Sequence, residues 1–177
     1  LFVATRMEKQ RAGDRETSGM VIEAAIPVID KNDDLLGVIY GGTLLNRNYE
    51  IVDRIKDTVY RGESYKGKDI GTATIFQWDG RISTNVKNSN GLRAIGTRGF
   101  RDLYERVLVN GQPYVGDAYV VNAEYITAYE PIRDVLGQII GILYVGILEQ
   151  PFIDMRNQVI YLFFSIALVG VLVALII

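Results

Sequence analysis

From Val159 to Ile177 the chain reads VIYLFFSIALVGVLVALII, nineteen residues without a charge. At ~1.5 Å per residue a helix of this length spans about 30 Å, the thickness of a bilayer's hydrocarbon core. A helix buried in a soluble protein keeps a polar face, and this stretch has none in any direction. The segment therefore predicts a membrane-spanning helix, and whatever folds before it must sit at a lipid surface. The chain starts at Leu1 and stops at the last apolar residue, so a fragment cut on both sides is expected. No signal peptide is recognisable upstream.

Composition narrows the chemistry. No Cys is present, which excludes disulfides, thiolate metal sites and a cysteine nucleophile. No His is present either, so the usual general base, zinc ligand and haem ligand are missing, and a Ser-His-Asp relay is impossible. Nineteen Lys and Arg face twenty-one Asp and Glu, a net charge of −2, with no basic cluster fit for nucleic acid. A binding module is expected rather than an enzyme, with no cofactor and no metal.

A repeat organises the rest. Pro27 laid over Pro131, an offset of 104 residues, brings Asp30 onto Asp134, Gly37 onto Gly141, Tyr40 onto Tyr144, Gly42 onto Gly146 and Leu44 onto Leu148. Each copy reads as an apolar strand, a polar turn and a second strand carrying GxxYxG. Repeats fix architecture before local patterns do. The chain is thus expected to hold the end of one module, residues 1–45, and the whole of a second, residues 46–150. Residues 151–177 follow as a juxtamembrane and transmembrane helix.

Within the second module Asn46 or Asn48 can cap a helix with Ile51, Val52, Ile55 and Val59 on one face, ended by Gly62. The strand TATIFQW, a turn at Asp79-Gly80 and the strand RISTNV make a hairpin. Phe100, Leu103, Tyr104, Val107 and Leu108 recur at helical spacing, with Asp102 and Arg106 as a solvated pair and Asn110-Gly111 as the stop. Strands over 114–121, 124–132 and 139–148 finish an α+β module ordered helix, two strands, helix, three strands.

That order, with YKGKDIGTATIF, RISTNVKN, GLRAIGTR, YITAYEPIRD and GQIIGILYVGILEQPF, resembles the Cache domain, a PAS-like antiparallel sheet flanked by helices. The words are most similar to the type-three/type-two Cache fusion, over about Asn46 to Phe152, with Met20 to Leu45 as the tail of a membrane-distal module. The resemblance implies an extracytoplasmic sensor of small molecules at the cytoplasmic membrane, dimeric, driving a chemoreceptor or a histidine kinase. It also places the loop of Arg93 and Arg98 over the sheet.

A two-residue turn at Asp79-Gly80 would set Trp78 opposite Arg81, Phe76 opposite Ser83 and Thr74 opposite Asn85 on one face. The opposite face, Ala73, Ile75, Ile82 and Val86, reads as core. The first face is either a wet ligand pocket or a solvated surface with Arg81 stacked on Trp78. A second hairpin, turning at Asn122-Ala123, places Tyr114, Tyr125 and Tyr129 beside Gly116 and Ala118. These tyrosines either offer hydroxyls to an oxygen-bearing ligand or fill the core. Arg93 and Arg98 suit a carboxylate, so a small organic acid is the expected ligand. The run DKNDD at Asp30 hints at calcium, but its repeat counterpart RDVLG is a plain turn, which argues against a metal loop. Pro151 suits the first turn of a helix leading straight into the span. A rival reading is a spacer or dimerisation module that binds nothing.

Overall fold

The structure, a computed structural model, describes residues 17–176. Expectations for the first sixteen residues lie outside that range. A hairpin comes first, β1 (Val21–Ile29) and β2 (Leu35–Leu44), followed by α1 (Glu50–Tyr60). A small polar hairpin, β3 (Ser64–Tyr65) and β4 (Lys68–Asp69), leads to β5 (Gly71–Gln77) and β6 (Gly80–Thr84). Then come α2 (Arg101–Leu103), a π-helical segment (Tyr104–Val109), and β7 (Tyr114–Val120), β8 (Ala123–Arg133) and β9 (Ile139–Leu148). The last element is α3 (Gln150–Ile176). Strands β5 to β9 form one antiparallel sheet in the order β6-β5-β9-β8-β7. Apart from the β3–β4 hairpin, which the sequence reading does not predict, the element order is the one expected.

Helix α1 starts where the Glu50 N–H donates to Asn48 Oδ1 at 3.1 Å, and stops at Arg61 and Gly62, both left-handed at φ 53° and 64°. It buries Val52 against Ala73, Ile75 and Ile82 on one face of the sheet. The other face carries the larger core. There the loop from Asn85 to Phe100, α2 and the π-helical segment cover Phe76, Tyr129, Ile142 and Tyr144. The predicted helix over Phe100–Asn110 is mostly π-helical: the Asn110 N–H reaches back five residues to Glu105 O. The wider turn changes the charge pairing. The helical pair is Arg101 with Glu105, at 3.3 Å, rather than Asp102 with Arg106, and Arg106 donates to Pro113 O.

Two hairpin registers depart from expectation. Gln77 pairs with Gly80, so the first turn is Trp78-Asp79, with Trp78 left-handed at φ 53°. Phe76 then faces Arg81, and a bulge between Ile75 and Phe76 sets Ser83 opposite Ile75 and Thr84 opposite Thr74. A bulge adds one residue to one strand and so reverses which side chains face the core beyond it. Hence Val86 packs with Phe76 while Ile82 packs with Ala73. The second turn is Val121-Asn122, since Val120 pairs with Ala123. That shift spans two residues in the pairing, so Tyr114, Tyr125 and Tyr129 keep their common face.

The repeat is a repeat of structure. In β1–β2, Val28 pairs with Gly37 and, past a bulge, Ile29 with Leu35. In β8–β9, Ile132 pairs with Gly141 and, past the same bulge, Arg133 with Ile139. Both turns are closed alike. Asp30 Oδ1 accepts the Asn32 and Asp34 N–H groups at 2.7 and 3.0 Å, and Asp134 Oδ1 accepts those of Leu136 and Gln138 at 2.9 and 2.8 Å. The DKNDD carboxylate at Asp30 thus serves the turn.

The surroundings differ. Strand β9 lies in the middle of its sheet, whereas β1–β2 forms a sheet of two strands, with Ile39 at 68 % and Tyr40 at 75 % exposure. The same glycine reports the difference. A Cβ on Gly141 would run into the Phe76 carbonyl of β5, while a Cβ on Gly37 meets nothing within 4 Å. Gly141→Ala is expected to destabilise the domain by about 1–3 kcal/mol in urea unfolding. Gly37→Ala should leave the midpoint unchanged or slightly raised, because Gly weakens a strand through its unfolded-state entropy.

One residue joins the sheet to α3. The Glu149 N–H donates to Glu124 O, and the Phe152 N–H returns to Glu149 O. Helix α3 is long and apolar enough to cross a membrane over Gln150–Leu175, and none of its most apolar stretch is buried.

Candidate functional site

The bulge and the early turn direct Arg81 inward, over the face that α2 covers. Its residue exposure is 6 %, its guanidinium lies 4.9 Å from the Phe76 ring centroid, and Nη1 donates to Thr97 Oγ1 at 2.5 Å. Thr97 is held in turn by its hydroxyl, which donates to Ala94 O, and by its carbonyl, which accepts the Arg81 N–H. Arg81 Nε is buried without a hydrogen-bond partner. Among the described residues no carboxylate pairs with Arg81. Burial pushes this guanidinium down from its ordinary value. It nonetheless stays charged, since an arginine does not lose its proton in a protein.

The neighbouring cation is treated differently. Arg98 donates through Nε and Nη2 to Asp79 Oδ2, at 2.8 and 2.5 Å, with both side chains almost fully buried. Asp79 can do this because it is the second residue of the turn. Its carbonyl meanwhile accepts the Gly99 N–H, and Gly80 bridges to Arg98. The ion pair pins the covering loop to the hairpin tip.

Arg81, Thr97, Arg98, Phe100, Val120 and Tyr129 line a cavity of about 260 Å³. Tyr129 closes its floor in an aromatic group, 6.2 Å from Phe100, 5.8 Å from Tyr114 and 4.8 Å from Tyr144 between ring centroids. Burial pushes the Tyr129 phenol up to about 12 and the Tyr144 phenol higher still. Both stay protonated and able to donate at any physiological pH. Tyr144 shares its hydroxyl with Thr72 Oγ1 at 2.9 Å. The cavity therefore offers one unbalanced positive charge, the neutral phenol of Tyr129 and an aromatic wall. An anion is the species such a site can accept.

The structure brings together Phe76, Arg81, Arg98 and Tyr129 of the residues singled out in sequence. Tyr114 stands at the edge of the aromatic group, where its hydroxyl donates to Asp117 O. Tyr125 lies on the same face but opens on a separate cavity. Trp78 sits at the exposed turn, 41 % accessible, because the turn falls one residue early. Ser83 is on the opposite face, donating to Asn48 O at 2.5 Å, since the bulge reverses its orientation. Arg93 is also on the α1 side. It forms a bidentate pair with Asp53 at 2.8 Å and covers the Tyr49 ring at 4.3 Å. Asp79, Thr97 and Tyr144 were not singled out for the site. Asp79 read as a turn residue, and nothing in GLRAIGTR signals that Thr97 returns to Arg81.

A larger cavity of about 550 Å³ lies between α1 and the β1–β2 hairpin. Its charged residues, Glu50 and Arg54, are exposed and paired with each other. It holds no buried charge in need of a partner. No group of three or more His, Cys, Asp or Glu able to hold a metal exists among the described residues.

The domain is thus a five-stranded antiparallel sheet with a helix on one face and a loop-covered cavity on the other. Residues 43–159 match the family described as single Cache domain 3, and the chain belongs to that family. The match covers one module, which begins at the end of β2 and closes just inside the apolar helix. It is a Cache sensor domain next to a helix long and apolar enough to span a membrane. No curated protein matches the chain. No solved structure matches it either.

Proposed function

We propose that the chain is the extracytoplasmic ligand-sensing part of a transmembrane signalling receptor, and that its ligand is a small organic acid seated on Arg81. The observation that carries this reading is the buried guanidinium without a carboxylate beside it, facing a cavity. Removing a charge from water costs several kcal/mol unless it is paired, and a bound carboxylate supplies the pair. The cavity has room for about nine water volumes at ~30 Å³ each, which suits a short acid rather than a peptide. A thermal-shift series with short mono- and dicarboxylates tests it. Acids should raise the unfolding temperature and the matching amines should not. A response to amines alone, or to neither, rejects the reading.

The output is a kinase or a methyl-accepting chemoreceptor, and the module works as a homodimer in the cytoplasmic membrane with its sheet outside. These assignments rest on the Cache family and on the apolar helix. Transmission runs through β9, which carries Tyr144, packed against Tyr129 of the cavity floor, and continues through Glu149 into α3. Three side chains meet at the start of α3. Asp154 accepts from Tyr65 at 2.7 Å, from Lys66 at 2.5 Å and from Gln150 at 2.8 Å. A Gly-Ser insertion between Gln150 and Pro151 should leave ligand binding intact and abolish the receptor's response, measured in cells. Retained signalling would speak for the alternative, a spacer module.

The β1–β2 hairpin supports a second, membrane-distal module in the same polypeptide, of which residues 1–45 are the end. It shares its bulge and its Asp-closed turn with β8–β9, whose outer edges are taken by β5 and β7. A longer polypeptide carrying such flanking strands should no longer tolerate Gly37→Ala.

A further inference from the structure

A second cavity, of about 320 Å³, opens at the end of the sheet from which α3 leaves, where the β3–β4 turn, the Asn85–Gly91 stretch and the β7–β8 turn meet. It does not share a lining residue with the Arg81 cavity. Three lysines stand on its wall: Lys66, Lys68 and Lys87. Lys66 is matched by Asp154 at the head of α3. Lys68 donates only to a neutral carbonyl, that of Asn122, at 2.9 Å. Lys87 has no side-chain partner, and neither Lys68 nor Lys87 forms an ion pair among the described residues. The one acid of the wall, Asp69, is engaged by Lys56, which lies outside the cavity.

The floor is unsatisfied as well. Tyr125 is 97 % buried, yet its hydroxyl makes no hydrogen bond. Asn85, 3 % exposed, uses Oδ1 to accept the Ala73 N–H and leaves its Nδ2 without an acceptor. Buried donors without acceptors are rare in folded chains, because each forfeits its bonds to water. Here one amide of this kind, Asn85 Nδ2, lies with the Tyr125 phenol, which opens on the cavity, under two ammonium groups that form no ion pair. All four are donors, so the species that completes them is an acceptor with negative charge. Lysine ammonium groups serve phosphate as point charges, without the planar fork that a carboxylate uses best.

We propose that this cavity is a second anion site, which takes a phosphate group from a lipid headgroup or from a soluble phosphorylated molecule. Both sources are within reach. Asp154, which holds Lys66 at the rim, lies five residues, roughly 8 Å along a helix, from the uncharged stretch beginning at Val159.

The test uses the whole chain in nanodiscs. In phosphatidylcholine discs, inorganic phosphate is titrated and the backbone amide signals of Lys87, Asn88 and Tyr125 are followed. Saturable shifts are expected. Lys68→Gln with Lys87→Gln, both at exposed positions, should weaken binding by about tenfold or more, and Tyr125→Phe should weaken it further. Arg81→Met should leave it unchanged, which separates this site from the organic-acid site. The titration is then repeated in discs containing phosphatidylglycerol. If the lipid is the source, the same signals start shifted and phosphate no longer moves them. If the source is soluble, the two titrations coincide. Absence of a saturable shift in the phosphatidylcholine discs overturns the proposal, and so does binding that survives the double lysine substitution.

Discussion

Arg81→Met is expected to make the ligand-free domain more stable and deaf to acids at once. Methionine fills much of the same volume against Phe76 and needs no counter-ion. Exchanging a buried charge for an apolar side chain of similar size is typically neutral or stabilising by about 1–4 kcal/mol. A gain of each kcal/mol raises the unfolding temperature by about 2–4 °C in a domain of this size. Thermal unfolding with and without the best acid checks both halves. The variant should melt higher alone and show no upward shift with ligand. A variant that melts clearly lower would mean the guanidinium is satisfied by its own fold through Thr97, and the spacer reading would gain.

Asp79→Ala has the opposite sign and the largest expected loss of stability. It leaves Arg98, 7 % exposed, without the carboxylate that both its donors address. Breaking a buried pair from one side costs about 3–5 kcal/mol, a large fraction of the 5–15 kcal/mol that holds a typical domain. The hairpin tip and the loop over the Arg81 cavity should loosen together. Urea unfolding gives the magnitude, and Asp79→Ala combined with Arg98→Met should recover much of the loss, because the orphaned charge is then gone. Equal losses in the single and double variants would show that the carboxylate acts through the turn alone.

These two residues mark where sequence reasoning stops. The helices, the strands and the repeat were legible, since apolar spacing, Asn48, Gly62 and the two Asp-led turns each leave a local signature. The concave tyrosines were legible too, because moving a turn by one residue re-pairs strands without changing which side chains share a face. The bulge at Ile75/Phe76 was not. It depends on how β5 fits β9 and β6 together, and it sends Ser83 to the α1 side. Partners far along the chain were equally hidden. Arg93 is neutralised by Asp53, forty residues earlier, and Arg98 by Asp79 across a loop. Nothing in the spacing tells one arginine with a counter-ion from another without, and that distinction defines the site.

The position of β9 has a final consequence. It runs down the middle of the sheet, gripped by β5 on one flank and β8 on the other. Arg81 hangs from the β5 flank and Tyr125 from the β8 flank. Two different stimuli arriving at the two cavities would therefore pull on a common shaft. Such a receptor cannot report them separately: it sums them, and its output is a single position of one rod.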